Sequence, residues 1–237
     1  PESVRRAVGY YAAPAVAALF TPAMTIGTAG GRTLGWLVDS IATRDLYPQA
    51  TVVQLMGHID PTASRMDAPE LSRTLAQRLG ASCVTLNAPV FADDRASRDV
   101  FLSHSQIGAA YQRFAAVDLA LVGIGSLVES VFFARGVLNA ADRVRLQAAG
   151  AAGEICGRFY DRCGEECATD YRDRVIGIGL DVLRQRGDVI GVTNGADRAP
   201  AAVAAVVGGL VTGLAIDHRC AEAMLALGKG REKGGAG

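Results

Sequence analysis

The stretch Met24-Thr-Ile-Gly-Thr-Ala-Gly-Gly-Arg-Thr-Leu-Gly-Trp36 reads as a buried strand, a glycine-rich turn and the first turn of a helix. Gly27, Gly30 and Gly31 permit positive φ and let backbone amides approach a ligand, because no Cβ stands in the way. A helix starting near Arg32 adds unpaired N–H groups and the positive end of a dipole, a setting that suits phosphate. Thr28 and Thr33 add hydroxyls, and Arg32 adds a planar fork of donors. Two readings are open on these residues: a phosphate-cradling loop, or a tight strand-to-helix turn that holds no ligand.

Outward from this stretch, strand and helix alternate. A helix is expected from about Val4 to Phe20, with Val4, Val8, Tyr11, Val16 and Leu19 inward and a kink or split at Pro14. Thr33–Ile41 continues as helix, Thr51–Met56 is strand, and Pro69–Leu79 is helix, opened by Asp67 and closed by Gly80. Ser82–Leu86 is strand, 95–114 is helix in two pieces broken around Ser103-His-Ser105, and Val117–Gly125 is an apolar strand. Ala140–Ala148 is helix. Residues 151–161 are expected to pair as a hairpin arm with Arg174–Ile178, across a polar, solvated turn from Arg162 to Asp173. Leu180–Arg186 (a helical turn or two), the strand Asp188–Thr193, a helix ending at Gly208-Gly209, the strand Leu210–Ile216 and a closing helix Ala221–Leu227 complete the pattern. At least six strands alternating with helices give an α/β fold with a doubly wound, mostly parallel sheet. Residues 1–227 form the domain, and 228–237 are expected to be a flexible tail.

Composition narrows the function. The chain has 237 residues, half of them hydrophobic, with 24 basic and 24 acidic side chains, so it can bury a large core but carries no cationic surplus for nucleic acid. Ala199–Ile216 is uncharged, but Pro200 and Gly208-Gly209 interrupt it, which argues against a membrane span. Five cysteines and the lack of a secretory leader at the start point to reduced thiols and a cytoplasmic location. Cys163 and Cys167 lack the spacing and neighbouring histidines of a metal site, and no cofactor is expected.

In a parallel sheet, the loops that leave strand carboxyl ends share one edge. Four such loops carry glycine or small polar groups: Thr28–Thr33, Gly57-His58, Gly123–Ser126 and Asn194–Arg198. Phosphate is therefore assigned to Thr28, Gly30, Gly31, Arg32, Thr33, Gly195 and Arg198. Gly57, His58, Asn87, Gly123, Gly125, Ser126 and Glu154 are assigned to lining the rest of the ligand, and Glu154 could accept from its hydroxyls. Arg198 has a plainer reading as the partner of Asp197 or Asp217, and Glu154 as a solvated strand-end charge. Asp118 and Asp217 read as structural. No Gly-x-Ser-x-Gly elbow, Walker loop or dinucleotide fingerprint is present, and His58 lacks a positioned partner for acid–base work.

The run Ile26–Leu34, Asn87-Ala-Pro89, Asp118–Ser126, Gly150–Asp161, Asn194-Gly-Ala-Asp-Arg198 and Leu214-Ala-Ile-Asp217, in that order, resembles the sugar-binding domain of SorC/DeoR-type bacterial transcriptional regulators over nearly the whole chain. That resemblance implies a scaffold similar to ribose-5-phosphate isomerase and glucosamine-6-phosphate deaminase, used to sense a phosphorylated sugar, so that the lining residues from Gly57 to Glu154 would face the sugar. It also implies a helix-turn-helix domain preceding this part, operator DNA as that domain's partner, and homodimers or homotetramers. Two positions depart from the family pattern. Asn194-Gly195 with Arg198 stands where Gly-Gly and a lysine are usual, and Gly30 replaces an aromatic. The rival reading is an isomerase or deaminase on the same scaffold, with Glu154, Asp118 or His58 as the base. A structural oligomerisation module is the third.

Overall fold

The apolar runs form strands in a computed structural model that describes residues 2–42, 46–59 and 64–234. They are β1 (Thr25–Thr28), β2 (Thr51–Gln54), β3 (Ser82–Val84), β4 (Leu119–Gly123), the short pair β5 (Gly153–Ile155) and β6 (Arg158–Tyr160), β7 (Asp188–Val192) and β8 (Gly213–Ala215). All but β5 and β6 make one six-stranded sheet in the order β3-β2-β1-β4-β7-β8, with every pairing parallel. Ile26, Val52, Val53 and Leu119 to Val122 are fully buried, as befits strands covered on both faces. The chain leaves β1 towards β2 and β3 on one side and resumes at β4 on the other. The crevice where strand order reverses thus lies above β1 and β4.

The flanking helices are α1 (Glu2–Ala17), α2 (Arg32–Ser40), α3 (Ala68–Leu79), α4 (Arg95–Ser103), α5 (Ser105–Gln112), α6 (Val131–Ala134), α7 (Ala140–Ala148), α8 (Asp170–Arg174), α9 (Leu180–Arg184), α10 (Ala199–Val207) and α11 (His218–Gly234). α1 lies closely on α2: a Cβ at Gly9 would stand 2.4 Å from the Trp36 carbonyl carbon, so only glycine fits this crossing. That crossing fixes where the first turn of α1 sits, and with it Arg5.

Several elements depart from the sequence reading. α1 runs unbroken through Pro14, because Pro14 is on the solvent side, where water reaches the carbonyl that proline cannot serve. Its buried face is Arg5, Val8, Gly9, Ala13 and Val16, while Tyr11, expected inward, is 79% exposed. The segment 151–161 does not pair with Arg174–Ile178. β5 and β6 pair antiparallel with each other across Cys156-Gly157, at φ 54° and 80°. Two consecutive positive φ values make a tight hairpin turn of the primed type, and a cysteine at the first position hid it. Met56 and Phe91 instead bridge to Gly177 and Val175.

The stretch 162–173 is also less solvated than its charge suggests. It buries Cys167 and Tyr171, and Glu166 pairs with the buried Arg158 at 2.7 Å. α11 continues to Gly234, through most of the expected tail, because good helix formers between the glycines extend a helix already nucleated at His218. Residues 235–237 lie outside the described residues. Among the described residues, no helix is long and apolar enough to cross a membrane.

Candidate functional site

Above the β1/β4 crevice opens a cleft of about 330 Å³, within the size range of small-molecule sites. Its first wall is the turn between β1 and α2. Gly31 takes φ 142° and donates its own N–H to Met66 O at 2.9 Å, so that amide is not available to a ligand. The next three amides, of Arg32, Thr33 and Leu34, open α2 and meet no acceptor among the described residues. Gly30 and Gly27 keep negative φ. A Cβ at Gly27 would strike Leu55 at 2.7 Å, so that glycine serves packing inside β1.

The opposite wall is the turn between β7 and α10. Gly195 takes φ 90° and donates to Asp217 Oδ1 at 2.7 Å, facing away from the cleft. The Thr33 hydroxyl donates to Asn194 Oδ1 at 3.0 Å and ties the two walls together. Arg198 is buried. It donates to Asn194 O at 2.9 Å and to Glu129 Oε2 at 2.9 Å, and lies 3.3 Å from Asp197. Asp217 is not its partner. Arg32 is exposed, and burial at the cleft wall, then the guanidiniums of Arg5 and Arg198, hold it below the ordinary arginine range.

The floor comes from β4 and β5. A Cβ at Gly123 would stand 2.9 Å from Gly30 O, and one at Gly125 would stand 2.6 Å from Glu154 Oε1. These two glycines bring the chain after β4 against both the first turn and Glu154. Glu154 accepts from Gly157 N–H at 3.0 Å, and desolvation pushes its carboxyl up to about 7.

The cleft therefore gathers Gly30, Gly31, Arg32, Thr33, Arg198, Gly123, Gly125 and Glu154, as expected from their loops. The other expected residues do not line it. Thr28 is fully buried, its hydroxyl 2.5 Å from Ser72 Oγ, because the inward side of a central strand faces α3. Gly57 donates to Ile176 O and His58 to Ala88 O, since the segments 88–90 and 175–177 cover the end of β2 and turn its loop into packed structure. Asn87 opens onto a separate cavity with Phe101 and His104. Ser126 is buried, and its hydroxyl accepts from Glu129 N–H.

Sequence reasoning missed Arg5, Glu129, Arg135 and the second role of Asp67. Arg5 lies three residues before Val8 and joins the buried face of α1 because that face runs through Gly9 and Ala13 and not through Tyr11, whereas 127–139 offered no periodic signal. Asp67 is the N-cap residue of α3, but its carboxylate is drawn to Arg135 at 2.8 Å and to Ser64 N–H, away from the cap. Four guanidiniums (Arg5, Arg32, Arg135, Arg198) thus face three carboxyls (Asp67, Glu129, Glu154) around one cleft. Asp118 is structural: its Oδ2 accepts from Thr25 N–H at 2.8 Å. Among the described residues no cluster of histidine, cysteine and acidic groups could hold a metal ion.

The chain and its fold resemble known proteins. The chain is 29% identical over 202 residues to the transcriptional regulator YjhU of Escherichia coli (strain K12), covering 85% of this chain and 61% of that protein. It is 27% identical over 223 residues to the sorbitol operon regulator of Klebsiella pneumoniae, covering 92% of this chain and 70% of the regulator. The crystal structure of full-length SorC from Klebsiella pneumoniae superposes with a TM-score of 0.88 at 26% identity, over 95% of this chain and 73% of that one. The family model "Putative sugar-binding domain" matches residues 1–226, so this chain belongs to the sugar-binding domain family of SorC/DeoR-type transcriptional regulators.

Proposed function

We propose that the cleft binds a phosphorylated sugar and that the chain is the effector-sensing part of a bacterial regulator acting in the cytoplasm. The observation that carries this reading is the meeting of three unclaimed helix-opening amides with the exposed Arg32 and with Arg5 and Arg198. A phosphate at that point would take backbone donors, a helix dipole and guanidinium forks at once. Glu154, on the floor, suits a sugar hydroxyl: near neutral pH it can accept as a carboxylate or donate as an acid. Effector binding would favour one arrangement of two or four subunits and so alter operator contact by DNA-binding domains elsewhere in the full regulator.

Thermal unfolding of this chain against phosphorylated and unphosphorylated sugars tests the reading. A specific effector at 100 times its dissociation constant stabilises by about 2.7 kcal/mol, a midpoint rise of roughly 5–10 °C for this length. Arg32→Ala should abolish that rise while leaving the ligand-free stability within about 0.5 kcal/mol, since Arg32 is exposed. A phosphate-independent response would move the site elsewhere. An isomerase or deaminase would use Glu154 as its base, and product formed from any member of the panel would replace the sensor reading.

A further inference from the structure

One carboxylate sits where an anionic ligand would be expected. Glu129 Oε2 accepts from Arg198 Nη2 at 2.9 Å and lies 3.8 Å from Arg5 Nη2, so two guanidiniums from opposite ends of the chain converge on one oxygen. Arg32 also feels this charge, and Arg198, then Arg5 and Arg32, draw the Glu129 carboxyl below the usual range. The arginines do not depend on Glu129 for their placement. Arg198 keeps Asn194 O and Asp197, and Arg5 keeps Glu2 at 3.2 Å, which in turn accepts from Trp36 of α2.

Glu129 itself is loosely held. Its side chain is 53% exposed, it lies in the bends at 127–129 between β4 and α6, and its backbone N–H has only a long 3.4 Å bond to Ser126 Oγ. A side chain so placed can swing into solvent while its partners stay in position.

We propose that Glu129 is a resident counter-ion of the phosphate subsite, which an incoming anion must displace from Arg198 and Arg5, and that it thereby sets the selectivity of the cleft for dianions. The inference rests on the proposed sensor reading. A carboxylate or other monoanion only exchanges one negative charge for another at this point. A phosphate dianion carries a second charge and further acceptor oxygens, which reach the α2 amides and Arg32 that Glu129 leaves unused. Glu129 thus weakens every anion that must take Arg198 and Arg5, and it leaves a monoanion no net gain there.

The test is thermal unfolding of this chain and of Glu129→Gln at pH 8 and constant ionic strength, titrated with inorganic phosphate and, separately, with formate. Wild type should respond to phosphate and not to formate. Glu129→Gln should reach half its shift at about tenfold lower phosphate, the factor equivalent to about 1.4 kcal/mol, and should respond to formate as well. Glu129→Asp, which keeps the charge, should retain discrimination against formate. Hydrogen exchange of the amides at 127–130 should quicken with phosphate in wild type. Unchanged or weaker phosphate binding in Glu129→Gln, with wild type still responsive, overturns the counter-ion inference and leaves the sensor reading intact. No phosphate response in either protein overturns the counter-ion inference, while the sensor reading falls only if the phosphorylated sugars also fail to shift the unfolding of wild type.

Discussion

Two turns face each other across the cleft and are built alike. Each follows a strand of the sheet, each holds a glycine in a conformation other residues avoid, Gly31 at φ 142° and Gly195 at φ 90°, and each places an arginine at or just before a helix. They differ in what the arginine meets. Arg32 is exposed beside free amides, whereas Arg198 is buried and neutralised by Glu129 and Asp197. The same local chemistry thus gives one wall with unspent donors and one wall that is mostly self-satisfied. Sequence motif alone does not separate them, because the difference lies in carboxylates supplied by other segments.

The sharpest way to break the comparison is to truncate the buried arginine. Arg198→Ala removes the bond to Asn194 O, leaves Asp197 without this cation and leaves Glu129 only the longer 3.8 Å approach of Arg5. Breaking a buried pair costs about 3–5 kcal/mol, and both carboxylates here retain some solvent, so a loss of about 3 kcal/mol is expected in urea unfolding. A loss below about 1 kcal/mol would make Arg198 equivalent to the exposed arginine and erase the distinction between the walls.

The glycines differ by less. An alanine at either position meets backbone strain of about 1–3 kcal/mol. At Gly195 the new Cβ would also stand 2.6 Å from Asp197 Oδ1, while at Gly31 the nearest atoms are 3.9 Å away. We expect Gly195→Ala to cost about 2–3 kcal/mol and Gly31→Ala about 1 kcal/mol by the same measurement. Equal costs would mean that φ alone decides, and that the crowding around Asp197 relaxes freely.

The outline of the fold could be read from local signals because parallel strands buried on both faces are continuous apolar runs, as in Leu119–Val122, and because Gly80 closes its helix in the left-handed conformation. The hairpin β5–β6 could not, since a cysteine at positive φ carries no turn signature. At the site, glycines and helix starts were visible as sequence. The charge balance was not, because it depends on Arg5 arriving by the α1–α2 crossing and Glu129 by an irregular loop. His58 and Gly57 show the converse: topology places them at the ligand edge, and later segments cover them.

A pH-dependent effect, no larger than the difference between the two glycines, concerns the floor that both walls share. Glu154 is half-buried in the cleft, and desolvation raises its carboxyl from 4.5 to about 7, with the Gly157 N–H opposing. The folded protein therefore holds this proton over a range where the unfolded chain has lost it. Below about pH 4.5 both states are protonated and the group is neutral in its effect. As pH rises from there to about 7, the unfolded state is favoured increasingly, and above 7 the penalty is constant. Water in the cleft screens part of it, so the expected loss is about 1–2 kcal/mol, less than the full displacement implies. Glu129, on the rim, runs the other way: its carboxyl is held low by Arg198, so its contribution is present at neutral pH and fades as pH falls below the ordinary carboxylate range. Unfolding free energies of wild type and Glu154→Gln at pH 5 and pH 8 isolate the floor from the rim, because Glu129 is common to both proteins. The variant should gain relative to wild type on going from pH 5 to pH 8. A difference that stays flat between those two values would mean that Glu154 is as well solvated as a surface acid, and that the cleft floor is wet enough to leave a carboxylate untroubled.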